Sequence, residues 1–358
     1  MENSHHNLLP EIQNSSAWYG PDLAERRDWI ETLSESELAE IETTTRRLAD
    51  ADVEIPSIRR DDFPLPTLGI RLQRMLDEVL NGRGFVLIRG LPVERWSRLE
   101  SAITFFGLGT HLGNARSQNA AGHVLGHVKD LGLSSRDPNV RIYQTHERQT
   151  YHTDSCDVVG LLCLQPAKSG GLSSLVSSVT IFNQMRRRRP DLLVELFKPI
   201  ETDRRGEIPE GAKPYFSIPV FNWPVFNSQA GLLSTIYQRQ YIESARRFEE
   251  VPPLTPRQIE ALDLFDSLAN DPALHLNMEF RAGDVQLVHN HTLLHDRTAF
   301  EDWPEPERRR HLLRLWLACP QARPLPTVFT ERYGSITPGD RGGVMVKGTR
   351  LTAPLEAQ

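Results

Sequence analysis

Residues 150–157 read TYHTDSCD and place a histidine and a carboxylate two positions apart. In a β-strand, positions i and i+2 point to the same face, so His152 and Asp154 would stand side by side. An imidazole beside a carboxylate is half of a metal site, or it is a buried ion pair. Such a pair is common by chance, so residues elsewhere in the chain must decide between the two interpretations.

A second histidine-rich segment, DVQLVHNHTLLHDRTAFEDW, covers residues 284–303 and contains His289, His291 and His295. Two histidines and one carboxylate form the facial triad that binds non-haem Fe(II) and leaves coordination positions open. The same donor set suits catalytic zinc, so a zinc hydrolase is one alternative. A barrel that binds a small molecule without catalysis is another, and a core histidine bonded to a neighbouring aspartate is the simplest explanation of His295.

The segment RRRHLLRLWLACP (308–320) predicts a strand with two different faces. Two arginines that point into a strand-built interior are costly to bury unless an anion meets them. A guanidinium binds a carboxylate through two parallel hydrogen bonds and stays charged, so a dicarboxylate fits. If the opposite face points inward, the arginines lie on the surface instead. The residues of the first face are Arg310, Leu312, Arg314 and Trp316, and those of the second are His311, Leu313, Leu315 and Leu317.

Together these segments resemble the taurine dioxygenase/2,4-dichlorophenoxyacetate dioxygenase family of Fe(II)/2-oxoglutarate-dependent oxygenases. The resemblance runs from GRGFVLIRGLP (82–92) to the arginine strand, about two thirds of the chain. HTD (152–154) is similar to the proximal ligand pair of the family. SGGLSSLVS (169–177) resembles its glycine-glycine-x-threonine segment. HNHTLLHDRTAFED (289–302) resembles the segment that has an asparagine five residues before the distal histidine.

The resemblance implies that His152, Asp154 and His295 bind Fe(II), with His295 selected by its spacing from Asn290. It also implies 2-oxoglutarate and O2 as cosubstrates. The expected reaction is hydroxylation of an unactivated C–H bond in a small organic molecule, with formation of succinate and CO2. Asp154 favours hydroxylation over halogenation, because related halogenases replace this carboxylate with a small residue. Desaturation and cyclisation stay open.

For 2-oxoglutarate, the resemblance implies that Ser173 and Arg310 bind the far carboxylate. Ser173 replaces the threonine of the family and keeps its hydroxyl, although Ser174 is a neighbouring alternative. Arg314 is expected to reach toward the metal-binding end. The gap from His295 to Arg310 is longer than in taurine dioxygenase, so the main anchor is open between Arg310 and Arg314.

The sequence does not identify the substrate, because no motif selects one. The helical residues at about 21–80 and the FNWPVFNSQAGLLSTIYQRQY region are expected to form a lid, with Tyr237 in its apolar wall. The expected substrate-lining residues are Tyr143, Gln144, Tyr151, Asn119, Trp223 and Phe226. For the first three, plain packing is an equal alternative.

The elements that must position these groups change character along the chain. Residues 21–50 and 69–84 have helical periodicity, and from about residue 114 short strand-like runs dominate, interrupted by helices at 178–197 and 255–271. The pattern predicts a mainly β fold with α: a barrel or sandwich buttressed by helices. The resemblance implies a double-stranded β-helix (jelly-roll, cupin-like) core.

The expected domains follow from this division. They are a disordered arm with a helical extension (1–80), an oxygenase domain with inserted helices and a lid (81–325), and a C-terminal tail (326–358).

Composition excludes several classes of protein. The formal charge of −6 gives no general attraction to nucleic acid, and RRRR at 186–189 is expected to be a solvated helix face. The three cysteines form neither a disulfide framework nor a zinc motif. No signal peptide and no membrane span is evident, so we expect a cytoplasmic protein with a small-molecule substrate, no nucleic-acid or membrane partner, and the possibility of a homo-oligomer.

Overall fold

The computed structural model of the chain describes residues 9–134, 140–223, 232–344, 346 and 348–357. The α-helices within these ranges are α1 (Gly20–Arg26), α2 (Glu35–Asp50), α3 (Leu68–Asn81), α4 (Arg98–Thr110), α5 (Ser178–Arg188), α6 (Pro190–Leu193), α7 (Arg239–Ser244), α8 (Pro256–Ala269) and α9 (Thr330–Tyr333). The strands are β1 (Ile30–Thr32), β2 (Phe85–Arg89), β3 (Asn114–Arg116), β4 (Gly126–Val128), β5 (Gln149–His152), β6 (Val158–Gln165), β7 (Ser169–Gly170), β8 (Ser173–Ser177), β9 (Ile200–Asp203), β10 (Tyr215–Ile218), β11 (Phe221–Asn222), β12 (Ser234–Thr235), β13 (Leu276–Met278), β14 (Val285–His289), β15 (Leu293–Arg297), β16 (Phe300–Glu301), β17 (His311–Ala318), β18 (Ile336–Thr337) and β19 (Asp340–Arg341).

Two sheets form the centre of the molecule. The larger has the strand order β1-β2-β14-β6-β17-β3, with β4 also paired to β17, and the smaller has the order β13-β8-β15-β5. Neighbouring strands run antiparallel, except that β1 pairs with β2 in parallel. The sheets pack face to face, because Leu312 and Trp316 of β17 share one buried cluster with Leu175 of β8 and Leu293 of β15.

Side chains alternate between the two faces of each strand, as the pleat requires. Leu313, Leu315 and Leu317 of β17 point outward and pack in a cluster with α2, α3 and α4. Val176 of β8 and Leu294 of β15 point outward from the smaller sheet and pack against α5 and α8. The predicted faces of the arginine strand are therefore confirmed, and the space between the sheets is left for the inward-facing set.

The helical stretch predicted at 21–50 is wrong in the second half of its first segment, DLAERRDWIETL (22–33). Arg27 has a left-handed backbone (φ 55°) and ends α1, and residues Ile30–Thr32 form β1 instead. Burial explains this, because Trp29 packs in the core between the sheets and donates a hydrogen bond from Nε1 to the Leu23 carbonyl (2.8 Å). Ser34 then begins α2 with a capping box.

The N-terminal helices do not form the predicted lid. Both α2 and α3 lie on the outer face of the larger sheet, held there by buried leucines such as Leu48 and Leu72, so they sit behind the sheet and away from its inward face. At the other end of the chain, the fully buried Arg341 donates from Nε to Asp157 Oδ1 (2.8 Å) and ties the C-terminal segment to the larger sheet. The domain boundaries stay a prediction. No helix in the described ranges is long and apolar enough to cross a membrane.

Candidate active site

The register of the smaller sheet brings the two predicted histidine ligands together. His152 of β5 pairs directly with His295 of β15, and their ring centroids are 4.1 Å apart. Asp154 places Oδ1 3.9 Å from His152 Nε2 and Oδ2 3.7 Å from His295 Nε2. One ligand atom from each residue lies within 4.8 Å of the other two, and all three residues are buried. Two imidazoles and a carboxylate at this spacing are a donor set for one divalent ion.

Neighbouring groups orient these ligands. His152 Nδ1 lies 2.9 Å from the Thr150 carbonyl and therefore carries the proton, which leaves the lone pair of Nε2 available to a metal. Asp154 Oδ2 accepts a hydrogen bond from Trp316 Nε1 (2.8 Å). The backbone N–H of Asp154 donates to Asn290 Oδ1 (2.9 Å), so the asparagine five residues before His295 fixes the loop that carries the carboxylate.

The other histidines of that segment are occupied elsewhere. His289 Nδ1 lies 2.8 Å from the Thr292 hydroxyl, and His291 Nε2 lies 3.0 Å from Asp157 Oδ1. Both are packed in the interior and take no part in the cluster of three ligands. The choice of His295 by its spacing from Asn290 therefore agrees with the geometry.

Burial sets the protonation states of the three ligands. It lowers the pKa of His295 to about 3, with a smaller contribution from His152, and it lowers the pKa of His152 as well. Both rings are therefore neutral at physiological pH. For Asp154, burial raises the pKa, but the charge of Arg314 and the hydrogen bond from Trp316 lower it overall. The ligands are in the forms that bind a cation.

A cavity between the sheets is lined by His152 and His295. Ser173, Arg310 and Arg314 line the same cavity. Ser173 points into it and lies with its Oγ 3.0 Å from Gln286 Oε1. Ser174 points to the opposite face and bonds the Tyr151 hydroxyl. Of the two neighbouring serines, Ser173 is thus the one that faces the cavity.

Arg310 is buried in the wall of this cavity, and among the described residues no carboxylate forms a salt bridge with it, although the charge of Asp302 acts on it. Its Nη1 is buried and has no hydrogen-bond partner, and burial lowers the pKa of the side chain to about 10. The Phe300 ring lies 5.2 Å from its guanidinium. Gly171 leaves room for it: a Cβ there would lie 3.0 Å from Arg310 Nε, and its φ of +65° also suits glycine.

Arg297 is a third buried arginine of the cavity, which the sequence reasoning missed. Burial, and next the neighbouring charge of Arg310, lower its pKa to about 9. It follows His295 by two positions on β15, so the period-two rule that pairs His152 with Asp154 also places Arg297 beside His295. That signal was present in the sequence.

Arg314, unlike Arg310, contacts one of the three metal ligands directly. Its Nη1 is 3.4 Å from Asp154 Oδ2, and its Nε donates to Gln118 Oε1 (2.8 Å). The guanidinium also lies 4.9 Å from the Tyr143 ring centroid. The two arginines therefore serve different parts of the site, and Arg314 borders its mouth.

The mouth is a polar cavity beside His152 and Asp154 that Tyr143 lines, as expected. Arg141 and Glu207 form an ion pair in its wall (2.9 Å). Most of its polar lining comes from loops far apart in sequence, which no local pattern indicated. The lining residues missed by the sequence reasoning include Gln118, Arg141, Glu207, Gln238, Tyr241 and Arg332.

The other expected substrate-lining residues lie elsewhere. Tyr151 is on the opposite face of β5 from His152, in the core beneath α5 and α8. Gln144 accepts from the Arg141 backbone N–H (3.0 Å) and closes a short turn, and Asn119 contacts His123 Nδ1 (3.1 Å) in a loop. Trp223 packs against Phe182 (5.8 Å between ring centroids), and Phe226 lies outside the described residues.

Tyr237, the expected member of a lid wall, is also buried in the core beneath α8. Its hydroxyl donates to Asp266 Oδ1, and its ring lies 4.4 Å from that of Phe265.

Comparison with known proteins agrees with this geometry. Residues 45–316 match the family described as "Taurine catabolism dioxygenase TauD, TfdA family". The chain belongs to this family. It is 30% identical over 335 residues to FR-33289 synthase of Streptomyces rubellomurinus, covering 91% of this chain and 96% of that protein. It is 31% identical over 318 residues to the taurine hydroxylase-like protein SAT17 of Stachybotrys chartarum, covering 86% of this chain and 80% of that protein.

Solved structures share the fold of this TauD/TfdA family member. Asparagine oxygenase with Fe(II), hydroxyasparagine and succinate has a TM-score of 0.61 at 17% identity, over 81% of this chain and 93% of that chain. The non-haem iron oxygenase OrfP with Fe and α-ketoglutaric acid has a TM-score of 0.58 at 15% identity, over 80% and 93%. The protein is an Fe(II)/2-oxoglutarate-dependent oxygenase, which sets aside the zinc hydrolase and the non-catalytic barrel.

Proposed function

We propose that the protein binds 2-oxoglutarate beside the metal site and hydroxylates a C–H bond of a small organic molecule. His152, Asp154 and His295 would hold Fe(II). The observation that carries the proposal is that these three ligands border a cavity whose wall also contains the incompletely paired, buried guanidinium of Arg310. A metal site alone would serve many reactions, but the buried cation requires an anionic ligand inside the protein.

Arg310 is the main anchor for the far carboxylate of 2-oxoglutarate in this proposal. Arg314 is already engaged with Asp154 and Gln118, whereas Arg310 has a free donor in the cavity. The Ser173 hydroxyl faces the same space and would donate to the carboxylate once it gives up its hydrogen bond to Gln286 Oε1. Planar guanidinium donors match a carboxylate, so this pair of residues orients the cosubstrate toward the metal ligands.

Iron and 2-oxoglutarate, when bound, supply the oxidation of a C–H bond by O2, coupled to conversion of the cosubstrate to succinate and CO2. The residues of the chain hold and orient the reacting groups. Trp316 and Asn290 fix Asp154, and an intact carboxylate at that position favours hydroxylation. Leu161 and Leu312 in the cavity wall limit access of water. The Gln149 amide, 2.9 Å from His152 Nε2, would have to yield this contact to an ion.

The charge of the mouth supports an anionic substrate. Arg141, Arg314 and Arg332 line it, against the single carboxylate of Glu207 apart from the metal ligand Asp154. Arg141 is paired with Glu207, and Arg314 contacts Asp154, whose charge an ion would share. An anionic group on the substrate would then find Arg332 available, with the charge of Arg314 nearby, and this contact would direct a neighbouring carbon toward the metal ligands.

We also assign the two facing sheets to a double-stranded β-helix. The support is the antiparallel order of both sheets and the pairing of the ligand strand β15 with β8 and β5 in the smaller one. The expected homo-oligomer and the cytoplasmic location remain predictions of the sequence.

The cosubstrate assignment is tested by anaerobic titration of the Fe(II)-loaded protein with 2-oxoglutarate, followed by the visible metal-to-ligand charge-transfer band. We expect the band in the wild type, weaker binding in Arg310→Ala and in Ser173→Ala, and no band in His152→Ala. Ser174→Ala is the matched control, because that hydroxyl points to the other face. Equal binding in the Ser173→Ala and Arg310→Ala variants and the wild type would refute the assignment.

The substrate class is tested by succinate release over a panel of sulfonates, phosphonates, carboxylates and neutral analogues of each. We expect coupled succinate formation with an anionic compound and little with its neutral analogue. Mass analysis of the product separates hydroxylation, which adds one oxygen, from desaturation or cyclisation, which removes two hydrogens. Turnover of neutral compounds alone would contradict the anionic class.

A further inference from the structure

Arg297 occupies a position that the proposed roles leave unexplained. It is the last residue of β15, on the same inward face as His295, and only 6% of its surface is exposed. It lines the same cavity as Ser173 and Arg310. A buried cation needs partners in the protein or in a ligand, because water cannot solvate it there.

The protein satisfies only part of this guanidinium. Nη2 donates to the Glu147 carbonyl, while Nε and Nη1 are buried without any hydrogen-bond partner. Asp130, Asp296 and Asp302 act on it electrostatically, but none of them forms an ion pair with it, although Asp296 Oδ1 and Asp302 Oδ2 are themselves buried without a hydrogen-bond partner. Asp296 Oδ2 accepts from Arg148 Nε (2.8 Å), and Asp302 Oδ1 accepts from the Arg310 backbone N–H (2.7 Å). Nε and Nη1 thus lack an acceptor in the protein, on a side chain that lines the cavity.

Arg297 and Arg310 surround one aromatic ring. The guanidinium carbon of Arg297 lies 4.9 Å from the Phe300 ring centroid and that of Arg310 lies 5.2 Å from it. Each arginine keeps at least one buried N–H without a partner. Two like charges held in one wall repel each other, and an anion that both can reach removes the repulsion and satisfies the donors.

We propose that Arg297 is a second guanidinium for the far carboxylate of 2-oxoglutarate, acting together with Arg310. This inference rests on the proposed location of 2-oxoglutarate in the cavity. Two guanidinium groups would bind the far carboxylate more tightly than Arg310 alone. They would also discriminate more strongly against a 2-oxo acid that lacks this carboxylate. A 2-oxo acid of the same chain length without that carboxylate gains nothing from Arg297.

The test compares two ligands, 2-oxoglutarate and 2-oxopentanoate, on the full-length protein loaded with Mn(II) under anaerobic conditions. Isothermal titration calorimetry measures binding without turnover. The variants are Arg297→Met, Arg310→Met and the matched control Arg309→Met, an exposed arginine that donates to the Trp303 carbonyl (3.3 Å) and does not line the cavity. We expect Arg297→Met to bind 2-oxoglutarate about 10- to 100-fold more weakly, with no change for 2-oxopentanoate and no effect in the control.

Thermal unfolding of the metal-free, ligand-free protein supplies a second measurement. Removing one of two adjacent cations relieves their repulsion, so Arg297→Met should melt at a higher temperature than the wild type and gain less from added 2-oxoglutarate. If Arg297 were instead neutralised by Asp296 and Asp302, the variant would melt lower and bind 2-oxoglutarate normally, which overturns the inference.

The two proposals fail in different ways. Unchanged 2-oxoglutarate binding in Arg310→Met means that the proposed cosubstrate pocket is misplaced. Weak binding in Arg310→Met together with wild-type binding in Arg297→Met rejects only the role of Arg297. If Arg297→Met does not fold, Arg297→Lys decides the question: it keeps the charge but not the fork, so weaker 2-oxoglutarate binding supports the inference and wild-type binding overturns it.

Discussion

His152 and His295 face each other across the β5–β15 pair, with their ring centroids 4.1 Å apart. Neither strand carries the complete site, so metal binding links two segments that are far apart in the chain. A ligand that binds only the folded state at 100 times its dissociation constant adds about 2.7 kcal/mol to the free energy of unfolding. We expect Fe(II) to stabilise the wild type in this way and His152→Ala not at all.

Anaerobic scanning calorimetry with and without Fe(II) measures this difference. His146→Ala is the control, because that ring is 60% exposed and lies outside the ligand cluster. The metal site is misassigned if Fe(II) raises the melting temperature of His152→Ala as much as that of the wild type.

Trp316 controls the orientation of the carboxylate ligand. Its Nε1 donates to Asp154 Oδ2 (2.8 Å), which leaves Oδ1 for the metal. Loss of such a supporting hydrogen bond typically weakens metal binding by about 10- to 100-fold. We expect Trp316→Phe to lose metal affinity to this extent in a titration with Co(II). The control is Trp303→Phe, which removes a tryptophan stacked on Arg308 and should keep wild-type affinity. Equal affinity in both variants would mean that Trp316 serves packing alone.

The sequence predicted the parts of the site that depend on local periodicity. The alternation along β17 predicted a shared face for Arg310 and Arg314, which line one cavity. The family resemblance, through the spacing from Asn290, selected His295, which lies in a cluster with His152 and Asp154. In each case the physical reason is short-range: the pleat of a strand, or an amide that holds the loop of Asp154. These features can be predicted because neighbours in sequence decide them.

The rest depends on contacts between distant segments. Gln118 holds Arg314 across 196 positions, and Arg341 reaches Asp157 from the C-terminal segment. The parallel pairing of β1 with β2 likewise replaces a helix that local propensity favours, because it buries Trp29. No periodicity encodes these partners, since tertiary packing selects among locally acceptable conformations. Arg297 is different, because the alternation rule would have placed it beside His295 if it had been extended two residues further along the strand.

Gly171 supports the cosubstrate pocket by its lack of a side chain. Its φ is +65°, and a Cβ would lie 3.0 Å from Arg310 Nε. Gly171→Ala should therefore displace the guanidinium and weaken 2-oxoglutarate binding as well as stability. Gly132→Ala is the matched control, because Gly132 has a φ of +73° and no atom within 4 Å of the added Cβ. The two variants share the backbone strain, so only Gly171→Ala should lose cosubstrate affinity in an anaerobic titration.

Equal cosubstrate affinity in Gly171→Ala and Gly132→Ala would show that Arg310 can move aside without consequence, or that it does not bind 2-oxoglutarate. The melting temperatures of the two variants then report how much of the loss in stability comes from strain common to both.

His291 makes stability depend on pH. Burial lowers its pKa to about 4, although the hydrogen bond with Asp157 opposes this shift. A histidine in the unfolded chain titrates near 6.5, so between about pH 6.5 and pH 4 the unfolded state binds a proton that the folded state does not. The free energy of unfolding therefore falls as pH decreases through that range, by on the order of 3 kcal/mol from this residue, and is fully present above pH 6.5.

Urea unfolding of the metal-free protein at several pH values between 4 and 7 measures this slope. We expect His291→Gln to be less stable than the wild type at pH 7, because Asp157 loses one partner, but to lose less stability on acidification. Asp157 keeps Arg341, so the variant is expected to remain folded near neutral pH. Other buried histidines add to the slope of both proteins, so the difference between the two curves isolates His291. Parallel curves would mean that His291 takes up its proton in the folded protein as readily as in the unfolded chain.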